Sequence, residues 1–107
     1  MITTTENEKN EAMVVSMIQF RLELVGIESI KDKRRIVSSL KEKLYQKFRL
    51  SVAEVDLLDS LDRAQIGAAV VSNSRRHGEA VLNKALAFVE SEVPGRILDM
   101  EIFSEGY

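Results

Sequence analysis

Apolar residues along this chain switch between two spacings, and the order of the switches constrains the fold more than any other feature. They alternate with polar residues from Met13 to Leu24, and then recur every three or four positions over residues 30–48. Alternation is typical of a strand with one buried face, and the wider spacing is typical of a helix with one apolar stripe. The chain therefore begins its ordered part with a strand followed by a long helix.

The second half of the chain repeats these spacings. Alternation over residues 52–57 predicts a second strand, and the nearly continuous apolar run over 65–73 predicts a third strand with neighbours on both sides. Helical spacing over residues 75–93 ends at Pro94-Gly95, and alternation over 96–103 predicts a last strand. The predicted order is strand, helix, strand, strand, helix, strand.

One compact arrangement of strands and helices fits this order. Two right-handed crossovers place both helices on the same face of one sheet, which predicts a ferredoxin-like α+β sandwich with an antiparallel four-stranded sheet in the order 4-1-3-2. We expect a single domain over residues 13–103, with a flexible tail at 1–12 and a short tail at 104–107. Residues 1–12 lack both periodicity and large apolar side chains, so little there can offset the entropy of ordering.

Composition argues against disulfide-stabilised and membrane-spanning classes of protein. The 107 residues include no cysteine, no apolar run near membrane-spanning length and no apolar segment among the first twelve positions. We therefore expect a cytoplasmic protein without a membrane partner. His77 is the one histidine, and the five glycines do not match a phosphate-binding loop, so we predict no metal, no cofactor and no catalytic residue.

Positive charge is concentrated in one part of the chain. The net charge is −2, yet residues 26–50 carry eight lysines and arginines against three carboxylates. On a helical wheel, five positions share one sector away from the apolar stripe, and we call them the basic strip: Lys31, Arg34, Ser38, Lys41 and Tyr45. Such a strip, with Arg35 beside it, is suited to bind RNA phosphates and to stack on a base. The alternative is a solvated helix face.

A second cluster precedes and opens the second helix, and it contains Asn73, Ser74, Arg75 and Arg76. Cations in a first helical turn oppose the helix dipole, so a bound anion held by the free N–H groups would make their placement favourable. We predict an anion site here. The alternative is that the arginines extend into water.

Lys33 falls inside the apolar arc of the first helix. Its stem can lie along apolar neighbours while its ammonium group reaches water, or it can form an ion pair with Glu54 or Asp56.

The sheet face without helices has a predicted role in self-association. We expect carboxylates from three strands on it, namely Glu23, Glu54, Asp56, Asp99 and Glu101. On this face the two central strands present no aromatic residue for stacking RNA bases, but they do present the small residues Gly67 and Ala69. We predict that this face forms a homodimer.

Three segments of the chain are similar to those of a known family. SIKDKRR at 29–35, SVAEVD at 51–56 and GAAVVSN at 67–73 resemble the S-L-K-E-K-R-R, S-V-A-E-V-D and G-V-A-V-V-S-N segments of the YlxP-like family. The resemblance implies a small bacterial protein of ferredoxin-like fold with no established activity, commonly encoded near genes of translation initiation and ribosome maturation.

Three functions follow as hypotheses. The first is a non-catalytic factor that binds RNA or the ribosome through the basic strip and the start of the second helix. The second is a dimeric regulatory module that uses the sheet for protein contacts. The third is a phosphohydrolase resembling acylphosphatases, in which Arg75 or Arg76 holds phosphate and Asn73 orients water; fold analogy alone supports it.

Overall fold

A computed structural model describes residues 12–107, and its elements follow the predicted order. The strands are β1 (Val14–Leu24), β2 (Ser51–Asp56), β3 (Arg63–Ser72) and β4 (Gly95–Gly106), and the helices are α1 (Ile30–Phe48) and α2 (Arg75–Glu92). All neighbouring strands are antiparallel, in the order β2-β3-β1-β4. This order confirms the ferredoxin-like α+β prediction.

Both helices pack on one face of the sheet. Alternate residues of β1 and β3, including Phe20, Leu22 and Ile66, form one buried cluster with Leu44 of α1 and Leu82 of α2. Burial of these side chains contributes roughly 1.5–3 kcal/mol each to the stability of the fold. Neither helix of the described region is long and apolar enough to cross a membrane.

The ends of α1 are set by local chemistry. The Ser29 hydroxyl accepts a hydrogen bond from the Asp32 backbone N–H at 3.1 Å, which satisfies one of the free donors of the first turn. At the other end Arg49 has a left-handed backbone with φ of 57°, and its N–H bonds back to Leu44 and Tyr45. These caps explain why the helix occupies the predicted residues 30–48.

Lys33 forms the buried ion pair that was the second of its two predicted alternatives. Its side chain is 1% exposed, and its ammonium nitrogen lies 2.8 Å from Glu54 Oε2 on β2. The same nitrogen donates to the carbonyl oxygens of Leu57 and Ser60 at 2.6 and 2.7 Å. Lys33 therefore connects α1 to β2 and to the loop that joins β2 to β3.

The ends of the chain differ from the prediction in one respect. β4 continues three residues past the predicted end at Phe103, and Ser104, Glu105 and Gly106 pair with the first residues of β1. Most of the predicted tail at 104–107 is therefore strand, because its backbone completes the ladder although its side chains are largely polar. The predicted tail at 1–12 lies, except for Ala12, outside the described residues.

Candidate nucleic-acid interface

The basic strip forms one continuous exposed surface along α1. Lys31, Arg34 and Ser38 border one shallow hollow, while Ser38, Lys41 and Tyr45 border the next. Ser38 belongs to both hollows, so the five side chains lie on one face as predicted. Tyr45 lies 14 positions after Lys31, which is about 21 Å of helix axis.

The cations of the strip, and Arg35 beside it, are not neutralised by carboxylates of the described residues. Lys31, Arg34, Arg35 and Lys41 are exposed, and none of them has an ion-pair partner within residues 12–107. The cations that do have carboxylate partners lie elsewhere: Arg21, Lys33, Lys43, Arg63 and Arg96. Within the described residues, no carboxylate neutralises the charge of the strip.

Arg35 is set slightly apart from the strip. It borders the hollow of Lys31 and Arg34, but it also borders the groove between α1 and α2, together with Lys43 and Glu92. Arg35 therefore lies between the strip and that groove.

Tyr45 has a cationic neighbour that the helical wheel of residues 30–48 did not include. The Arg49 guanidinium lies 5.5 Å from the centre of the Tyr45 ring, and 57% of the Tyr45 residue surface stays exposed. Arg49 follows the last helical residue and so lay outside the helical wheel. A basic residue four positions after an exposed aromatic was the signal that could have identified it, because positions i and i+4 are neighbours at a helix surface.

The first turn of α2 is a separate surface, and the structure does not bring it to the basic strip. α1 meets α2 near the C-terminal end of α2, where the Phe48 and Phe88 rings lie 5.8 Å apart. Arg76 precedes Phe88 by 12 residues, which is about 18 Å of helix axis. The two predicted clusters are therefore two sites.

Contacts within the fold satisfy part of this second cluster. The Ser74 hydroxyl accepts from the His77 N–H at 3.2 Å, and Arg75 donates to the Ser104 carbonyl oxygen of β4 at 2.6 Å. The partial negative charge of this carbonyl oxygen stabilises Arg75, which is part of the role that we predicted for a bound anion. Asn73 and Arg76 are exposed.

The open face, which is the sheet face without helices, is less acidic than predicted. In β2, Glu54 pairs with the buried Ile66 and lies on the helix side of the sheet, and a β-bulge after Glu54 brings Asp56 opposite Gln65. Glu54 therefore meets Lys33, and Val55 lies beside Gly67 on the open face, where Glu54 was expected. The prediction that Glu54 lies on the open face was wrong, because alternation does not recognise a carboxylate that has a buried partner such as Lys33.

The open face has a polar end and an apolar end. At the polar end Arg21 lies 3.6 Å from Asp99 and donates to Gln65 at 3.4 Å. Toward the other end a hollow of about 570 Å³ extends across the strands, and its apolar lining includes Met17, Ala69 and Phe103. As predicted, β1 and β3 present no aromatic side chain on this face. Among residues 12–107, no cluster of histidines and carboxylates could hold a metal ion.

Comparison with known proteins agrees with the resemblance found in the sequence. The uncharacterised protein YlxP of Bacillus subtilis (strain 168) is 35% identical over 63 residues, which cover 59% of this chain and 68% of that protein. The family described as protein of unknown function (DUF503) matches residues 15–102, from the second residue of β1 to the middle of β4. Since the match includes nearly every helix and strand, the chain belongs to the DUF503 family.

Proposed function

We propose that this protein is a non-catalytic, cytoplasmic RNA-binding factor that associates with the ribosome and holds RNA phosphates along the outer face of α1. The observation that carries the proposal is the set of exposed strip cations without ion-pair partners in the described part of the chain. The ribosome is the proposed source of the RNA because the family resemblance implies a genetic context of translation.

Local rather than total charge is the physical basis of this proposal. With a net charge of −2, the whole molecule does not attract a polyanion, so affinity has to come from the strip. Each phosphate that a lysine or arginine neutralises releases counterions from the RNA, and this release favours binding. Arginine adds paired hydrogen bonds to phosphate oxygens.

The test is charge reversal of the strip. We expect the wild-type protein to bind single-stranded RNA with a log–log salt slope of roughly −2, since Lys31, Arg34 and Lys41 each contribute about −0.7. The combined Lys31→Glu, Arg34→Glu and Lys41→Glu variant should lose this binding while keeping its helical circular dichroism, because all three side chains are exposed. Fluorescence anisotropy of a labelled RNA across a salt series measures both.

A matched pair of variants separates the strip from total charge. Lys41→Glu and Lys84→Glu change the net charge equally, and both lysines are exposed on helices without an ion-pair partner in residues 12–107. We expect a loss of affinity for Lys41→Glu only. Equal losses for the two variants, or wild-type binding that does not respond to salt, would contradict the proposal and support a merely solvated helix face.

A second candidate function rests on the apolar end of the open face. Val55, Val71 and Phe103 are 51%, 63% and 46% exposed, and Met17 and Ala69 lie between them on the central strands. An exposed apolar sheet surface of this kind favours contact with another protein surface. We propose that two copies of the chain meet through this face as a homodimer, which would serve as a regulatory or scaffolding module.

Substitution at the centre of that face tests the dimer. Ala69→Arg should convert a dimer into a monomer in light scattering, because it places an unpaired charge in the middle of the contact. Ala87→Arg, at an exposed position of α2, is the matched control and should leave the mass unchanged. A wild-type protein that is monomeric at micromolar concentration rules out this second candidate.

A further inference from the structure

Tyr45 lies at one end of the basic strip, between a cation and a hollow. Arg49 approaches its ring from one direction, with 5.5 Å between the guanidinium carbon and the ring centre. One guanidinium can cover only one face of an aromatic ring, and the residue remains 57% exposed. An aromatic surface is therefore available to a ligand beside the last cation of the strip.

The hollow next to Tyr45 contains the groups that a nucleotide needs. It is a shallow hollow of about 430 Å³ that is open to solvent. Lys41 and the hydroxyl groups of Ser38 and Ser51 border it, so a cation for a phosphate and donors for a base edge lie in one place. The carboxylate of Glu42 also borders the hollow. This carboxylate accepts a hydrogen bond from the Gln46 side-chain amide at 3.5 Å.

Arg49 is held in place by the backbone. Its left-handed conformation ends α1, and its N–H donates to the Tyr45 carbonyl oxygen at 2.8 Å. The same turn leads directly into Ser51, the first residue of β2, which borders the hollow. The cation, the aromatic ring and the second hydroxyl group are thus positioned by one short segment of chain.

We propose that one unpaired nucleobase stacks on Tyr45, with its phosphate on Lys41, so that the strip selects single-stranded over double-stranded RNA. This inference rests on the proposed function and names its substrate class. Bases in a duplex stack on one another and cannot reach a protein ring, whereas bases of a single strand can. Stacking tolerates any base, since each has an aromatic face, so the site selects strandedness rather than sequence.

Binding by ring variants tests the stacking. Tyr45→Leu should weaken binding of a single-stranded uridine-rich RNA by about tenfold and leave its salt slope unchanged, because a stacking contact is lost and no charge is removed. Tyr45→Phe keeps the ring and should bind nearly as well as wild type. Binding of an RNA hairpin stem with the same number of phosphates should be the same for all three proteins.

Intrinsic fluorescence gives an independent measurement. The chain contains two tyrosines and no tryptophan, so the Tyr107→Phe variant has Tyr45 as its one fluorescent reporter. Tyr107 is 65% exposed, and its hydroxyl group donates to Glu105, so the substitution removes no buried contact. We expect single-stranded RNA to quench this fluorescence and the hairpin stem to leave it unchanged.

The outcomes separate this inference from the proposed function. Equal losses for Tyr45→Leu on single-stranded RNA and on the stem, or single-strand binding without quenching, would overturn the stacking site. If in that case the triple charge-reversal variant still fails to bind, phosphate binding by the strip stands on its own. If the wild-type protein binds neither the single-stranded RNA nor the hairpin stem, both the stacking site and the proposed function are contradicted.

Discussion

Lys33→Met should lower the free energy of unfolding by roughly 3–5 kcal/mol, because it leaves a carboxylate on β2 without its cation in a mostly buried position. The Lys33 side chain is 1% exposed and that of Glu54 is 14% exposed. The substitution also removes the hydrogen-bond donor of the Leu57 and Ser60 carbonyl oxygens. Urea denaturation followed by circular dichroism measures the change.

Two further variants isolate the ion pair. Lys31→Met, at an exposed position of the same helix, should change stability by less than about 0.5 kcal/mol. The double variant Lys33→Met with Glu54→Leu should recover most of the loss, since apolar side chains often replace a buried pair at little cost. If the double variant is as unstable as the single one, the loss comes from the two carbonyl oxygens rather than from the carboxylate.

Gly95→Ala should also cause a large loss, of about 3 kcal/mol or more, through a clash within the sheet. Gly95 is the first residue of β4 and pairs with Leu24, the last residue of β1. A methyl group there would overlap the Glu23 carbonyl oxygen and lie 3.0 Å from the Leu24 Cα. Because both obstacles are backbone atoms, no side-chain rotation relieves the overlap, and the two strands have to separate locally.

A second strand glycine provides the control for this prediction. A methyl group on Gly67 would lie 3.1 Å from a Val55 side-chain carbon, and Val55 is half exposed and free to move. Gly67→Ala should therefore change stability by less than about 1 kcal/mol. Thermal or chemical unfolding of both variants measures the contrast, and a Gly95→Ala protein as stable as wild type would contradict the backbone overlap.

Periodicity was enough to predict the elements and their arrangement. α1 begins at Ile30 and ends at Phe48 as predicted, because an apolar stripe and a serine cap are local features of the sequence. The strand order followed from the element order and the handedness of crossovers, without any knowledge of specific contacts. The predicted ends of the strands were less accurate. At Ser104, for example, strand pairing continues without an apolar pattern.

The orientation of β2 could not be read from its own residues. Val52 and Glu54 face α1 while Val55 faces the open side, so the two valines of this short strand lie on opposite faces. The decisive group is Lys33, which is 21 positions away in the chain and balances the charge of Glu54 inside the fold. Alternation counts apolar side chains and does not recognise a carboxylate that has a buried partner.

The candidate site shows the same division between local and distant information. Helical spacing correctly placed Lys31, Arg34 and Lys41 on one face, because they belong to one element. It could not show that Arg49 lies against Tyr45, since this contact depends on a left-handed residue beyond the helix. Nor could it show that the first turn of α2 is remote from the strip, which depends on where the two helices cross.

The pairing of β1 with β4 has a consequence for how the protein folds during its own synthesis. Of the four strands, β1 leaves the ribosome before the others, yet one of its two edges remains unpaired until residues 95–106 have been made, because β4 pairs with it from Val14 to Leu24. During translation this nascent strand edge can pair with other chains. Joining such distant segments also makes closure of the sheet a late and slow step. The newly made protein thus completes its fold only when almost all of the described chain has been translated.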